Sequence, residues 1–474
     1  MLVNLKEKID SPIFHLVGDA ADELQRECYV VGGYVRDLIL GRHSKDIDFV
    51  TVGSGIELAE ALAKKLGRKA RVNVYRNFGT AQLHFDHQEL EFVGARKESY
   101  NRNSRKPIVE DGSLDDDLSR RDFTINALAL SVNKNNFGEL VDKFNGLEDM
   151  EHRTIRTPLD SDITFSDDPL RMMRAVRFAT QLKFKIDYTT FAAIERNAYR
   201  LEIISKERIY TELTKIMESP KPSIGWMLLL DSGLLQLILP ELCALKGVET
   251  LHGKGHKDNF YHTMQVLDTV AQKSDNVWLR WAALFHDIGK ASTKRWVPGL
   301  GWTFHNHNYV GAKMLGAIFH RLKFPLDDKY KYVQKLVELH MRPIALVEES
   351  VTDSAVRRLM VDAGPDIEDL MILCDADITS KNPDKVKRFL ENYVLVREKM
   401  VDLQKRDDYR MYQPPVNGFE IMETFGLGNC EEVGIIKRYI KDTMLEYDTP
   451  NDKELAWKLM LQKGEELGLK PVKQ

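Results

Sequence analysis

The stretch Val30 to Val50, VVGGYVRDLILGRHSKDIDFV, constrains this chain more than any other. It reads as a strand end, a Gly-Gly turn, a short helix, a polar loop and a second strand. Side chains alternate faces along a strand, so Asp46 and Asp48, at i and i+2, point the same way about 6–7 Å apart. Such a carboxylate pair suits Mg²⁺, which prefers hard oxygen ligands. Two ions held about 3.5–4 Å apart clamp the attacking and leaving oxygens of an in-line phosphoryl displacement. Gly32 and Gly33 carry no Cβ, so the backbone can turn sharply and bring its N–H groups to a phosphate. Arg36, within the short helix, is placed to meet a phosphate oxygen bidentately. A lone D-x-D is a weak signal and by itself reads as an acidic surface strand.

Three later segments add to it. VNVYRNFGTAQLHF and QELEFVGAR read as two strands joined by a turn at Asp86-His87. In the second of them Glu91 is the candidate third carboxylate, on a strand beside Asp46 and Asp48. RRDFTINALAL, Arg120 to Leu130, reads as a helix capped by Asp122 and Thr124 with Ile125, Leu128 and Ala129 as its apolar face. FSDDPLRMMRAVRFATQL, Phe165 to Leu182, reads as a helix with Pro169 in its first turn. It sets Arg171, Arg174 and Arg177 along one face and turns Met172, Val176 and Phe178 inward. Between these, the polar stretch 97–117, with Arg102, Arg105 and Lys106, shows no periodicity and reads as a mobile loop.

The string GG-x-V-R-D with D-x-D resembles the catalytic signature of DNA polymerase β-type nucleotidyltransferases. In particular it is similar to class II tRNA nucleotidyltransferases and bacterial poly(A) polymerases. The resemblance implies that R-R-D-x-T-x-N-A lines the nucleotide pocket, with Asp122 and Asn126 near the sugar and Arg121 near phosphates. It implies that D-D-P-L-R is the element that selects a nucleotide without a template. Asp168 and Arg171 would then hydrogen-bond the base edges of C and A, because a carboxylate accepts from an exocyclic amine and Arg donates to ring acceptors. Asp167 stands where the family commonly has Glu, one methylene shorter. SKERIYTELTKIM, Ser205 to Met217, reads as a stiffening helix with an i,i+4 pair between Arg208 and Glu212.

A second chemistry begins near Gly255. Eight of the thirteen histidines fall between 252 and 340. His262, the pair His286-Asp287 in HDIGK, and Asp377 in CDADIT, in that order, resemble the ligand set of HD-domain metal-dependent phosphohydrolases. Asp375 is the fallback for Asp377, and His305 and His307 are candidates for a second metal or for phosphate. Imidazole with carboxylate suits Mn, Fe, Ni, Zn or Co as well as Mg²⁺, and nothing in the sequence chooses among them.

These readings predict an α+β chain. A polymerase β-type nucleotidyltransferase head, a mixed sheet with helices, occupies 1–140 and opens on a helix over residues 1–28. An all-α neck and body follows over 141–250, an all-α HD domain over 251–390, and a helical tail over 391–474. Gly434, Lys437, Arg438 and Lys441 of the tail are candidates for meeting an RNA backbone. The net charge of −4 argues against bulk RNA binding but not against a local basic track. No apolar run is long enough to span a membrane, and Cys28, Cys243, Cys374 and Cys430 are too scattered for a disulfide framework, so a cytoplasmic location is expected. The expected activity is addition of CCA to tRNA 3′ ends from CTP and ATP. Asp46, Asp48 and Glu91 would be catalytic, Mg²⁺ would sit in the head, and Gly32, Gly33, Arg36, Arg121, Asp122, Asn126, Asp168, Arg171, Arg174 and Arg177 would hold the nucleotide. The alternatives are an A-adding enzyme, a poly(A) polymerase, a phosphohydrolase whose head recruits RNA, and a non-catalytic RNA-binding protein.

Overall fold

The computed structural model describes residues 4–472 apart from 45, 68–69, 100–107, 252–253, 256–257, 349–351, 379–382, 407–412 and 447–451. They form two compact units, Met1–Pro240 and Glu241–Gln474.

The first unit is built on a seven-stranded mixed sheet. In chain order the strands are β1 (Cys28–Val31), β2 (Asp46–Thr51), β3 (Arg71–Tyr75), β4 (Thr80–Phe85), β5 (Gln88–Gly94), β8 (Leu128–Ser131) and β9 (Leu140–Asp142), and the hairpin β6 (Arg96–Ser99) and β7 (Ile108–Asp111) stands apart from them. The spatial order is β3-β4-β5-β2-β1-β8-β9. Only β2 and β5 run parallel, with Asp46 opposite Glu89 and Asp48 opposite Glu91. Parallel neighbours need a long crossover. Here it includes helix Gly55–Leu66, which buries Leu58, Ala59 and Leu62, while Phe49 and Phe92 stack at 5.1 Å in the core. The short helix α1 (Gly33–Ile39) leaves β1 through Gly32, whose φ of +72° favours glycine.

Several local expectations change. Residues 1–28 are not one helix: Lys6–Ile9 and Pro12–Glu23 are helical, and Cys28 opens β1. The segment from Val72 to Phe85 is two strands, broken by a 3₁₀ turn at Arg76–Phe78, and Asp86 and His87 make the expected turn with positive φ. RRDFTINALAL is a 3₁₀ turn at Thr124–Asn126 followed by β8. All four β8 residues are buried, and a short run buried on both faces has no period that separates strand from helix. Residues 97–117 contain β6, β7 and helix α2 (Leu114–Ser119), which starts with a Ser113–Asp116 capping box; Arg102, Arg105 and Lys106 lie outside the described residues. The helix expected after Pro169 is α3 (Leu170–Leu182), and the residues before it, taken as its cap, also end a separate short helix, Ser161–Asp167. Helix α4 (Lys206–Met217) buries Glu212 against Arg177 at 2.8 Å, where an i,i+4 pair with Arg208 was expected.

The second unit is mainly helical. Helix α5 (Asn259–Lys273) packs on α6 (Val277–Phe285) and on α10 (Ile367–Asp377), and α7 (His307–Leu322) packs on α8 (Asp328–Leu339). Helix α9 (Asp353–Ala363) contacts both α8 and α11 (Glu431–Glu446). The four cysteines of the chain are free, and no helix among the described residues is long and apolar enough to cross a membrane.

Candidate nucleotide and metal sites

In the first unit a cavity of about 590 Å³ gathers the motif residues. Gly32, Gly33, Arg36, Asp46, Asp48, Arg121, Asp122, Asn126, Asp168, Arg171, Arg174 and Arg177 all line it. Strand β2, short turns and the helices α1 and α3 place them. β2 carries the two aspartates on one face, and the Gly32 turn brings α1 against the 3₁₀ turn Thr124–Asn126. A Cβ on Gly32 would stand 2.8 Å from the Arg121 guanidinium, so glycine is required for that approach.

The charged groups are held by one another. Arg36 is buried, donates to Asn126 Oδ1 at 2.8 Å and chelates Asp37 through Nε and Nη2. Asn126 in turn donates to Asp122 at 3.0 Å, and Arg174 Nε donates to the other Asp122 oxygen at 2.7 Å. Burial raises the Asp122 carboxyl, but Arg174 and Asn126 outweigh it and hold it at about 2. Arg120 and Arg121 both bind Asp117, a carboxylate with no exposed surface. Phe178 lies beneath three guanidiniums, 4.1 Å from Arg177, 5.0 Å from Arg36 and 5.5 Å from Arg174, a geometry in which the ring face attracts each cation. Arg171 donates to the Arg120 carbonyl at 2.5 Å, and the Asp168 carboxylate receives the Leu170 N–H.

Burial and the neighbouring Asp46 raise the Asp48 carboxyl, and Arg121 only partly offsets them. Two carboxylates crowded on one strand face fit a hard divalent cation, which would relieve their repulsion. Glu91 shares that face through its register opposite Asp48. Its carboxyl is raised by burial, Asp48 and Glu89, yet it is not among the residues lining the cavity. Glu98 of β6 is, held by Arg96 at 2.9 Å and Arg120 at 3.1 Å. Glu98 and Asp117 were missed in the sequence because both fall in the stretch taken for an aperiodic loop.

The second unit holds a buried cluster. His262 Nε2 lies 2.7 Å from Asp377 Oδ1, and His286 Nε2 lies 3.3 Å from Asp287 and 3.4 Å from Asp377. Of the two carboxylates considered for the last position, Asp377 joins the cluster and Asp375 pairs with Arg397 at 2.7 Å. Asp287 also faces a second pair, His307 at 3.3 Å and His340 at 3.9 Å, whose Nε2 atoms are 3.2 Å apart. The potential ligand atoms of His262, His286 and Asp287 lie within 4.8 Å of one another, as do those of Asp287, His307 and His340. Asp287 belongs to both sets. His305 is exposed and stays outside. His340 was not assigned a role from sequence, since no period links it to His307 across 33 positions.

The donors fit a metal. The Nδ1 atoms of His286, His307 and His340 each meet the carbonyl three residues earlier at 2.7–2.8 Å. That contact fixes the tautomer and turns Nε2 inward as a ligand. His286 Nε2 and Asp287 Oδ1 are buried, and the polar atoms they face are other ligand-type atoms of the cluster, on Asp287, Asp377 and His307. Burial lowers His286, but Asp287 and Asp377 dominate and draw a proton onto it, raising it to about 10. Burial and the nearby His286 lower His340 to about 3. Lys290 reaches Asp287 at 2.5 Å.

Family models match three stretches of the chain. The Poly A polymerase head domain matches residues 28–156, the probable RNA- and SrmB-binding site of polymerase A matches 183–246, and the HD domain matches 259–382. The A-adding tRNA nucleotidyltransferase of Aquifex aeolicus (strain VF5) is 44% identical over 346 residues, 67% of this chain and 38% of that protein. That of Geobacter sulfurreducens is 38% identical over 385 residues, 80% of this chain and 40% of the relative. The chain therefore spans about two fifths of the length of the curated relatives it matches. A tRNA nucleotidyltransferase solved with a primer tRNA and an incoming ATP analog is 27% identical with a TM-score of 0.57, covering 81% of this chain and 99% of that one. A CCA-adding enzyme in apo form II shares the fold at 21% identity and TM-score 0.65, over 98% of this chain and 99% of its own.

Proposed function

For a chain that belongs to the tRNA nucleotidyltransferase and poly(A) polymerase family carrying an HD domain, we propose template-independent transfer of nucleotides from nucleoside triphosphates to the 3′ end of tRNA. The observation that carries the reading is the convergence of Asp46, Asp48, the Gly32 turn and a set of arginines on one cavity. Asp46 and Asp48 would hold Mg²⁺, which when bound supplies charge neutralisation for the attacking and leaving oxygens. Arg36 and Arg121, beside Gly32, are placed for the triphosphate. Asp122 and Asn126 orient the sugar, and Asp168 and Arg171 read the base edge. Phosphoryl transfer of this kind depends on positioning and charge more than on covalent participation. Glu91 would assist from the shared sheet face. The head would extend over 1–140, the neck and body over 141–250, the HD domain over 251–390 and a tRNA-binding tail over 391–474.

Two curated relatives are named A-adding enzymes, which favours AMP as the nucleotide transferred; CCA addition from CTP and ATP is the second reading. Purified protein, Mg²⁺ and tRNA transcripts ending before CCA or after CC, with labelled ATP and CTP supplied singly and together, separate them. AMP added only to tRNA ending in CC supports the first, C-C-A on the shorter transcript supports the second, and a long ladder from ATP makes the chain a poly(A) polymerase. Asp46→Ala with Asp48→Ala should reduce incorporation by more than about 100-fold, the loss of roughly 3 kcal/mol of transition-state stabilisation. Intact incorporation in that variant overturns the assignment.

The HD cluster supports a second activity, hydrolysis of phosphate monoesters or 2′,3′-cyclic phosphates. His262, His286, Asp287 and Asp377 would hold one divalent ion, and Asp287, His307 and His340 a second. Such an ion supplies Lewis acidity toward a phosphate ester, and Lys290, beside Asp287, is placed to meet the phosphate. Hydrolysis of a 2′,3′-cyclic nucleotide by metal-loaded protein, absent after chelation and in His286→Ala, tests it.

A further inference from the structure

Helix α2 runs toward the nucleotide cavity, and Arg120 and Arg121, just past its end, line that cavity. The helix is seated on the sheet: Leu114 and Leu118 are buried with Val31 of β1, Val50 of β2 and Ala129 of β8. Val50 lies two residues beyond Asp48 on β2. The start of the helix is pressed on β6, where a Cβ on Gly112 would stand 2.7 Å from the backbone of Arg96 and Lys97. Its last turn is thereby fixed relative to the carboxylates of β2.

Asp117 occupies that last turn, fully buried. Arg120 and Arg121, three and four residues on, fall on its face of the helix. The two carboxylate oxygens are divided between them. Oδ1 accepts from Arg120 Nε at 3.0 Å and from Arg120 Nη2, and Oδ2 accepts from Arg121 Nε at 3.2 Å and Nη2 at 2.9 Å. Burial would raise this carboxyl, but Arg121 and then Arg120 outweigh it and hold it below the usual carboxylate range. The end of Arg121 that Asp117 does not touch is Nη1, the atom that a Cβ on Gly32 would meet at 2.8 Å. Arg120 Nη1 donates to Glu98 at 3.1 Å, and the Arg120 carbonyl accepts from Arg171 Nη2 at 2.5 Å. One carboxylate thus stands behind both the guanidinium at the Gly32 turn and the residue that holds Arg171.

We infer that Asp117 is a positioning residue that aligns the triphosphate contact and the base contact of the nucleotide site together. The inference deepens the nucleotidyl-transfer reading and rests on it for the roles of Arg121 and Arg171. Asp117 itself touches no nucleotide; it acts through the two arginines. A carboxylate is required, because an amide has one accepting oxygen where Asp117 uses two. Whichever arginine faces the amide NH₂ group loses its anchor.

The test is calorimetric, on the full chain with Mg²⁺ and without RNA, using ATP, GTP and inorganic tripolyphosphate as ligands. Salt of about 0.5 M gives a Debye length of roughly 4 Å and screens the positive charge that Asp117→Asn uncovers. That variant should bind tripolyphosphate about tenfold more weakly, the loss of one aimed charge-assisted contact. Its preference for ATP over GTP should fall about fivefold or more. Arg120→Lys cannot span Asp117 and Glu98 with one ammonium but keeps the Arg121 contact. It should lose ATP preference and hold tripolyphosphate within about twofold of wild type. A merely structural role would give fewer binding sites per chain at unchanged affinities, because chains that fold would bind normally, and that result overturns the inference. So does tighter tripolyphosphate binding by Asp117→Asn, which would make Asp117 a competitor for Arg121 and not its support. If Asp117→Asn does not fold, Arg120→Lys decides: an unchanged ATP preference overturns the inference. Incorporation into tRNA is followed separately with wild-type protein. Wild-type protein that binds ATP and transfers nothing defeats the transfer reading, while the affinities still decide Asp117; transfer by wild type with wild-type affinities in both variants defeats Asp117 alone.

Discussion

Replacing Asp122 by Asn removes one charge from the most connected carboxylate of the head and keeps its shape. In the folded protein this carboxyl titrates at about 2, against 3.8 for an unperturbed aspartate. The difference is about 1.8 pKa units, which at 1.36 kcal/mol each comes to about 2 kcal/mol of folding stability at neutral pH. The folded-state value is the depressed one, so the contribution is complete above pH 3.8 and is lost as pH falls toward 2. Linkage leaves about 1 kcal/mol at pH 3. Asp122 is buried, so screening by solvent does not reduce this much. The chain has two units, and a global unfolding signal would mix them. Met172, Met173 and Met217 in the first unit are fully buried, and peroxide converts such a side chain to its sulfoxide once unfolding exposes it. Urea titrations with a peroxide pulse, read by mass spectrometry at these three residues, report the first unit alone. The expected result is a stability deficit of about 2 kcal/mol for Asp122→Asn at pH 7 that shrinks to about half at pH 3. A deficit that does not change with pH, or no deficit at pH 7, refutes the account of the Asp122–Arg174–Asn126 network.

Other outcomes follow from the same geometry. Asp287→Asn should abolish binding of both divalent ions after chelation and reloading, while His340→Gln should lose one; elemental analysis of the reloaded proteins reads the stoichiometry, and an unchanged metal content in Asp287→Asn refutes the shared ligand. Gly32→Ala should cost about 1 kcal/mol from its φ of +72° alone and should also displace Arg121. Nucleoside triphosphate affinity, measured by calorimetry, should then fall more than roughly fivefold; equal affinity would mean that the Arg121 approach is irrelevant to binding. Glu212→Gln leaves the buried Arg177 guanidinium without the countercharge of its 2.8 Å partner and should destabilise the first unit by roughly 3 kcal/mol, in the same peroxide assay.

The head was legible where chemistry and local period coincide. Asp46 and Asp48 announce themselves because a strand repeats every two residues, and Gly32 because a turn precedes a short helix. β8 was not legible, since Leu128 to Ser131 is buried on both faces and Asp122 and Thr124 resemble a helix cap. In the fold the Asp122 oxygen instead receives the Phe123 N–H next to it. Glu212 illustrates a different failure. Its spacing from Arg208 suits an ion pair on one helix, and the partner it takes, Arg177, is 35 residues away. His340 was visible as a residue and invisible as a member of the buried cluster, because α8 brings it to His307 only in three dimensions.

The arginines of the head are engaged before any substrate arrives: Arg36 with Asp37 and Asn126, Arg121 with Asp117, Arg174 with Asp122, Arg177 with Glu212. A triphosphate entering this cavity shares donors already in use, so its net attraction is a difference between two sets of contacts. On the proposed nucleotidyl transfer, each side chain that turns to the triphosphate would have a partner to return to when pyrophosphate departs. Under that proposal the site would favour short residence of the anionic product over tight capture of the nucleotide.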